Sequence, residues 1–129
     1  MNAILQTFGT RRNNISYNER EGNTPLIFFE KRCLMLESKF QTELKNILKH
    51  EFPGCIVLKN DADYIQGIPD LTVLYKDKWA TLEVKRSENA SHQPNQDYYV
   101  EALDEMSFSR FVYPENRDQI ISELKEFFG

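Results

Sequence analysis

The stretch from Gly67 to Lys85 constrains this chain most, because it reads as two paired strands that gather three ionisable side chains. Gly67-Ile68-Pro69-Asp70-Leu71 opens the first strand, and Thr81-Leu82-Glu83-Val84-Lys85 ends the second. Lys76-Asp77 between them suits a two-residue turn with its charges at a solvent-facing corner. With that turn, Asp70 and Glu83 fall opposite or nearly opposite each other, within reach as cross-strand partners. Glu83 and Lys85 stand two apart on one strand, so both side chains leave the same face. A glutamate inside the otherwise apolar Ala-Thr-Leu-Glu-Val run is out of place for a plain surface charge.

Two acids and a lysine suit metal-assisted hydrolysis of a phosphodiester. Carboxylates are hard oxygen ligands that hold Mg2+ or Mn2+ and leave places for water and phosphate oxygens. Such an ion lowers the pKa of its water from about 15.7 towards about 7 and offsets charge building at phosphorus. The order Pro-Asp, spacer, Glu-x-Lys resembles the signature of the PD-(D/E)xK nuclease superfamily. The wider segment from Leu36 to Glu126 is similar to its VRR-NUC-type branch, in particular to small phage-encoded nucleases with a Gly-Ile-Pro-Asp-Leu core. The resemblance implies an α/β fold, a restriction-endonuclease-like α/β/α sandwich with a central mixed β-sheet. It also implies Asp70 and Glu83 as ligands of Mg2+ or Mn2+, the carbonyl of Val84 as a third ligand, and Lys85 orienting the attacking water. An acid on the first core helix often completes the metal site in this superfamily, and Glu37 matches it by position. A glutamine opening the helix after the Glu-x-Lys strand faces the site in VRR-NUC-like proteins; Gln96 is the choice here and Gln93 the alternative.

Composition bounds the rest. A chain of 129 residues, 40 % apolar, can bury one core. No run approaches the length of a membrane span, and no signal-peptide pattern opens the chain, so a cytoplasmic protein is expected, and the resemblance implies a bacterial or phage-infected cell. Cys33 and Cys55 lack metal-type spacing and neighbour apolar residues, which predicts two buried free thiols. With only His50 and His92, a zinc site has little support. The net charge of −4 argues against a plain nucleic-acid binder. Residues 1–36 hold five Lys or Arg against three Glu, and the remainder eleven against seventeen acids. Binding to DNA is therefore expected to be modest and metal-dependent.

Residues 1–24 are polar, without sustained periodicity, and read with the rest of residues 1–35 as an extension of a nuclease domain at 36–129. From Pro25, apolar residues recur at steps of three and four through Ile47, with Thr24 as N-cap. This predicts either one long helix or a break near Leu36, where Ser38 and Gln41 make a capping-box pattern. Cys55–Leu58 reads as a central strand covered on both faces. A polar loop from Lys59 to Tyr64 reaches towards Asp70; Lys59 or Tyr64 at its tip can touch substrate, and Asp61 and Asp63 suit Asx turns. Helices follow at about Pro94–Met106, with an apolar stripe of Tyr98, Tyr99, Ala102, Leu103 and Met106, and at Arg117–Phe128, with Ile120, Ile121, Leu124 and Phe128 inward. Ser107–Tyr113 reads as a strand between them.

The expected function is a metal-dependent endonuclease acting on DNA, a hydrolase of ester bonds, and the resemblance implies a place in phage DNA processing. A first alternative is a homodimer resolving Holliday junctions or other branched DNA, two sites on a two-fold axis matching a symmetric junction. A second is a non-catalytic nuclease-fold module that binds nucleic acid or a protein partner.

Overall fold

The two-residue Lys76-Asp77 turn joins Leu71–Tyr75 to Lys78–Val84 in the predicted hairpin at the centre of a four-stranded sheet, with Ala80–Val84 buried on both faces. The computed structural model describes residues 25–129. Their elements are α1 (Pro25–Glu51), β1 (Ile56–Lys59), β2 (Leu71–Tyr75), β3 (Lys78–Val84), α2 (Pro94–Met106), β4 (Ser109–Val112), a 3-10 turn (Pro114–Asn116) and α3 (Arg117–Phe128). The predicted Thr24 cap lies outside the described residues. Contacts divide the chain into two units, Met1–Met35 and Leu36–Gly129, and the sheet belongs to the second.

The sheet order is β1-β2-β3-β4, with β1–β2 and β2–β3 antiparallel and β3–β4 parallel. This is a mixed α/β fold with a mixed sheet. Tyr75 pairs with Lys78 across the Lys76-Asp77 turn, where Lys76 takes a left-handed φ of 57°. A parallel pair needs a long crossover, and α2 supplies it between β3 and β4.

The two faces of β3 have different occupants. Ala80, Leu82 and Val84 enter a core with Phe40, Leu44 and Leu48 of α1 and Ile120, Ile121, Leu124 and Phe128 of α3. Thr81, Glu83 and Lys85 alternate with them and face the other way, where Gln96 and Leu103 of α2 stand. α2 and α3 have the predicted bounds, and every predicted inward residue of α3 is buried.

Four expectations meet corrections or a choice. α1 is continuous through Leu36, so the unbroken helix is the one formed; the Ser38 carbonyl accepts a bond from Thr42 Oγ1 inside it. The Cys55–Leu58 run is not a central strand. It forms the sheet edge, with Ile56 56 % and Leu58 45 % exposed, since α2 lies over β3 and β4. The α2 stripe is only half-covered, with Tyr98 and Met106 exposed, because that helix sits over a sheet face carrying polar side chains. Cys33 and Cys55 are both free thiols, half-buried rather than buried.

Candidate active site

The register that pairs Leu71 with Leu82 sets Asp70, one residue before β2, opposite Glu83. Thr81 and Lys85 donate their backbone N–H groups to the carbonyls of Phe108 and Val112 at 2.8 Å. Glu83 shares their parity, so its backbone also leans towards β4. Asp70 accordingly turns its carbonyl to the other neighbour, accepting from the Asn60 N–H at 2.8 Å. Asp70 and Glu83 are thus a non-hydrogen-bonded pair, the kind whose side chains approach most closely.

Each carboxylate is tied by one oxygen. Asp70 Oδ2 accepts the Val84 N–H at 2.9 Å. Because N–H and C=O of one strand residue lean to the same side, the Val84 carbonyl is on the Asp70 side as well. Glu83 is 2 % exposed, and its Oε2 accepts from Gln96 Nε2 at 2.9 Å. Its Oε1 is fully buried without a hydrogen-bond partner. A buried carboxylate oxygen with no donor costs free energy unless a proton or a cation meets it.

Lys85, 7 % exposed, donates from Nζ to Gln96 Oε1 at 2.7 Å and to the Ser91 carbonyl at 3.1 Å. It stands 3.9 Å from Glu83 Oε2. Lysine only donates, so the amide of Gln96 must turn its oxygen to Lys85 and its nitrogen to Glu83. The same oxygen accepts the Gln93 backbone N–H at 3.0 Å, which fixes the first turn of α2. Gln96, not Gln93, is therefore the glutamine that joins the cluster.

Electrostatics bind Glu37 into the same group. Its carboxyl is half-buried and titrates above the usual range, first through burial and then through the charge of Asp70, against Lys85, Arg86 and Lys59. Glu83 is pushed up to about 8, chiefly by burial and next by Asp70; Lys85 opposes this and Glu37 adds to it. Three acids thus sense one another at the end of the hairpin.

Sequence reasoning missed the supports of this cluster. Gln41, one helical turn beyond Glu37, is buried and accepts from Lys59 Nζ at 2.8 Å. Its spacing of four from Glu37 was the available signal. Asn60 Nδ2 donates to the Pro69 carbonyl and to Thr72 Oγ1, clamping the chain just before Asp70. Gly67 has φ 92°, and a Cβ there would lie 2.3 Å from the Asn95 Cβ. The loop that delivers Asp70 is therefore pressed against the turn that delivers Gln96. Asp61 makes the expected Asx turn with the Asp63 N–H, whereas Tyr64 is 85 % exposed.

Among the described residues, no three His, Cys, Asp or Glu side chains form a ready-made metal cage. The donor set could still hold Mg2+ or Mn2+, which use one or two carboxylates and complete their shell with water and phosphate oxygens. The orphaned Glu83 Oε1 opposite Asp70 is the observation that fits such an ion. Neither protein-family models nor curated proteins give a match to this chain. No helix of the described residues is long and apolar enough to cross a membrane.

Proposed function

We propose that the chain is a metal-dependent endonuclease of the PD-(D/E)xK type that hydrolyses phosphodiester bonds in DNA. The observation that carries this reading is Glu83, buried opposite Asp70 with one oxygen unpartnered and the other held by Gln96. Residues α1 and α3 contribute to the core on one sheet face, and α2 stands on the other, which supports a restriction-endonuclease-like α/β/α sandwich.

In this reading Asp70 and Glu83 hold the divalent ion, with the Val84 carbonyl and Glu37 as accessory ligands. When bound, the ion supplies Lewis-acid stabilisation of the charge that builds on a phosphodiester during hydrolysis. Lys85 has three N–H donors; two hold Gln96 and the Ser91 carbonyl, and the third orients the attacking water. Gln96 keeps Lys85 and Glu83 at a fixed separation, and its second amide hydrogen serves a phosphate oxygen. Lys59, held by Gln41 beside the acids, lowers the cost of bringing a polyanion to an acidic protein.

The test incubates the purified protein with supercoiled, linear and four-way-junction DNA in Mg2+, Mn2+ or EDTA. Cutting that requires the ion and is lost in Asp70→Ala upholds the reading, and preference for the junction narrows it to branched DNA. Undiminished cutting by Asp70→Ala removes Asp70 from the site. No cutting of any substrate moves the assignment to a binding module.

A further inference from the structure

Beside the carboxylates, on the same sheet face, lies a cavity of about 340 Å³. Its apolar walls are Tyr64, Ile65, Ile68, Trp79 and Leu103. Asn60 and Asp61 line it as well, and Thr81 forms part of its floor. Thr81 and Trp79 precede Glu83 by two and four residues on β3, which places them about 7 and about 14 Å along the strand from it. On the other side, Asn60 is bonded to the Pro69 carbonyl and, through its N–H, to the Asp70 carbonyl. The cavity and the acid pair therefore share a floor and a wall.

Its lining selects the occupant. No Lys or Arg lines it and the acidic Asp61 does, so a phosphate is repelled rather than held. Two aromatic rings and three aliphatic side chains suit a flat heterocycle, and a volume at the small end of ligand sites suits one ring system. Asp61 keeps its turn through Oδ1, leaving Oδ2 to accept an N–H from the edge of that ring. Flipped or single-stranded bases are read in this way, by stacking on aromatic and apolar walls with hydrogen bonds to the base edge.

We propose that this cavity holds an unpaired nucleobase next to the scissile phosphate, and that it favours bases with an amino group. The proposal rests on the nuclease reading and narrows its substrate to DNA with single-stranded character at the cut. Cytosine offers its N4 amino group to Asp61, whereas thymine has no amino group and its single N3–H lies between two carbonyl oxygens that the carboxylate repels, so thymine is disfavoured.

Trp79 is the chain's single tryptophan, so its fluorescence reports this wall alone. The experiment titrates the intact protein in EDTA with short oligodeoxycytidine, oligothymidine and an abasic strand of equal charge. Quenching by oligodeoxycytidine is expected, weaker with oligothymidine and absent with the abasic strand. Tyr64→Ala, at an exposed position that the fold does not need, is expected to weaken the binding roughly tenfold. Asp61→Asn, which retains an acceptor for the turn, is expected to narrow the difference between the two bases. Equal quenching by the abasic strand overturns the proposal. So does an unresponsive Trp79 in a protein that cuts DNA with Mg2+, and the nuclease reading then stands without it. Base-dependent quenching in a protein that cuts no DNA keeps the pocket and removes the nuclease reading.

Discussion

Gln96 and Lys85 meet at 2.7 Å, and the other end of the same amide reaches Glu83, so one side chain from α2 spaces the amine of Lys85 from the carboxylate of Glu83 at the end of β3. Gln96→Ala leaves both buried partners short of a hydrogen bond, at a cost of about 1–3 kcal/mol. The expected result is a folded variant with a lower Tm and DNA cleavage reduced by about two orders of magnitude, in the range lost with one positioned proton-handling group. Gln93→Ala retains the backbone N–H that meets Gln96 and is expected to cleave like the wild type. Paired rate measurements on the two variants check this.

The raised pKa of Glu83 makes stability depend on pH in a definite direction. Its folded value of about 8 lies above the ordinary 4.5, so the native state binds the extra proton between them. Ion-free stability therefore declines as pH rises from about 4.5 to about 8, and this contribution levels off above. Glu83→Gln removes the buried charge, and at about 1.4 kcal/mol per pKa unit it should stabilise the protein at pH 8 by an amount on the order of a few kcal/mol. Urea denaturation in EDTA across this range measures both effects.

In the proposed reading a divalent ion would answer the same buried charge. Mg2+ or Mn2+ is expected to raise the wild-type Tm, more at pH 8 than at pH 6, because binding must displace the Glu83 proton. Asp70→Asn and Glu83→Gln should lose most of that rise. Thermal unfolding with and without the ion checks it.

The glycines separate backbone strain from close packing. Gly54 and Gly67 both have φ near 90°, but a Cβ at Gly54 meets nothing, whereas one at Gly67 collides with Asn95. Gly54→Ala is expected to cost about 1–2 kcal/mol from the left-handed backbone alone. Gly67→Ala must also part the Asp70 loop from α2, and should cost clearly more and lower cleavage together with stability. Denaturation of both variants beside a cleavage assay distinguishes the two costs.

Much of this geometry was legible because it is local. The two-residue Lys76-Asp77 turn fixes the hairpin register, and with it the facing of Asp70 and Glu83. Helical period alone marked the inward side of α3, and Pro94 its counterpart's start, which put Gln96 in the first turn. What covers a strand is not local. Ile56-Val57-Leu58 carries the apolar content of a central strand, yet β1 lies at the sheet edge, and only the sheet order determines that. The same holds for Gly67, whose requirement comes from Asn95 across the fold, and for Gln41, whose burial depends on Lys59 arriving from β1.

The most direct measurement compares nicking of supercoiled DNA in Mg2+ at pH 8 by the wild type and by Glu83→Gln. The account predicts cutting by the wild type, abolished by EDTA, and none by a variant that is at least as stable. Equal cutting by Glu83→Gln, or wild-type cutting that persists in EDTA, would contradict it.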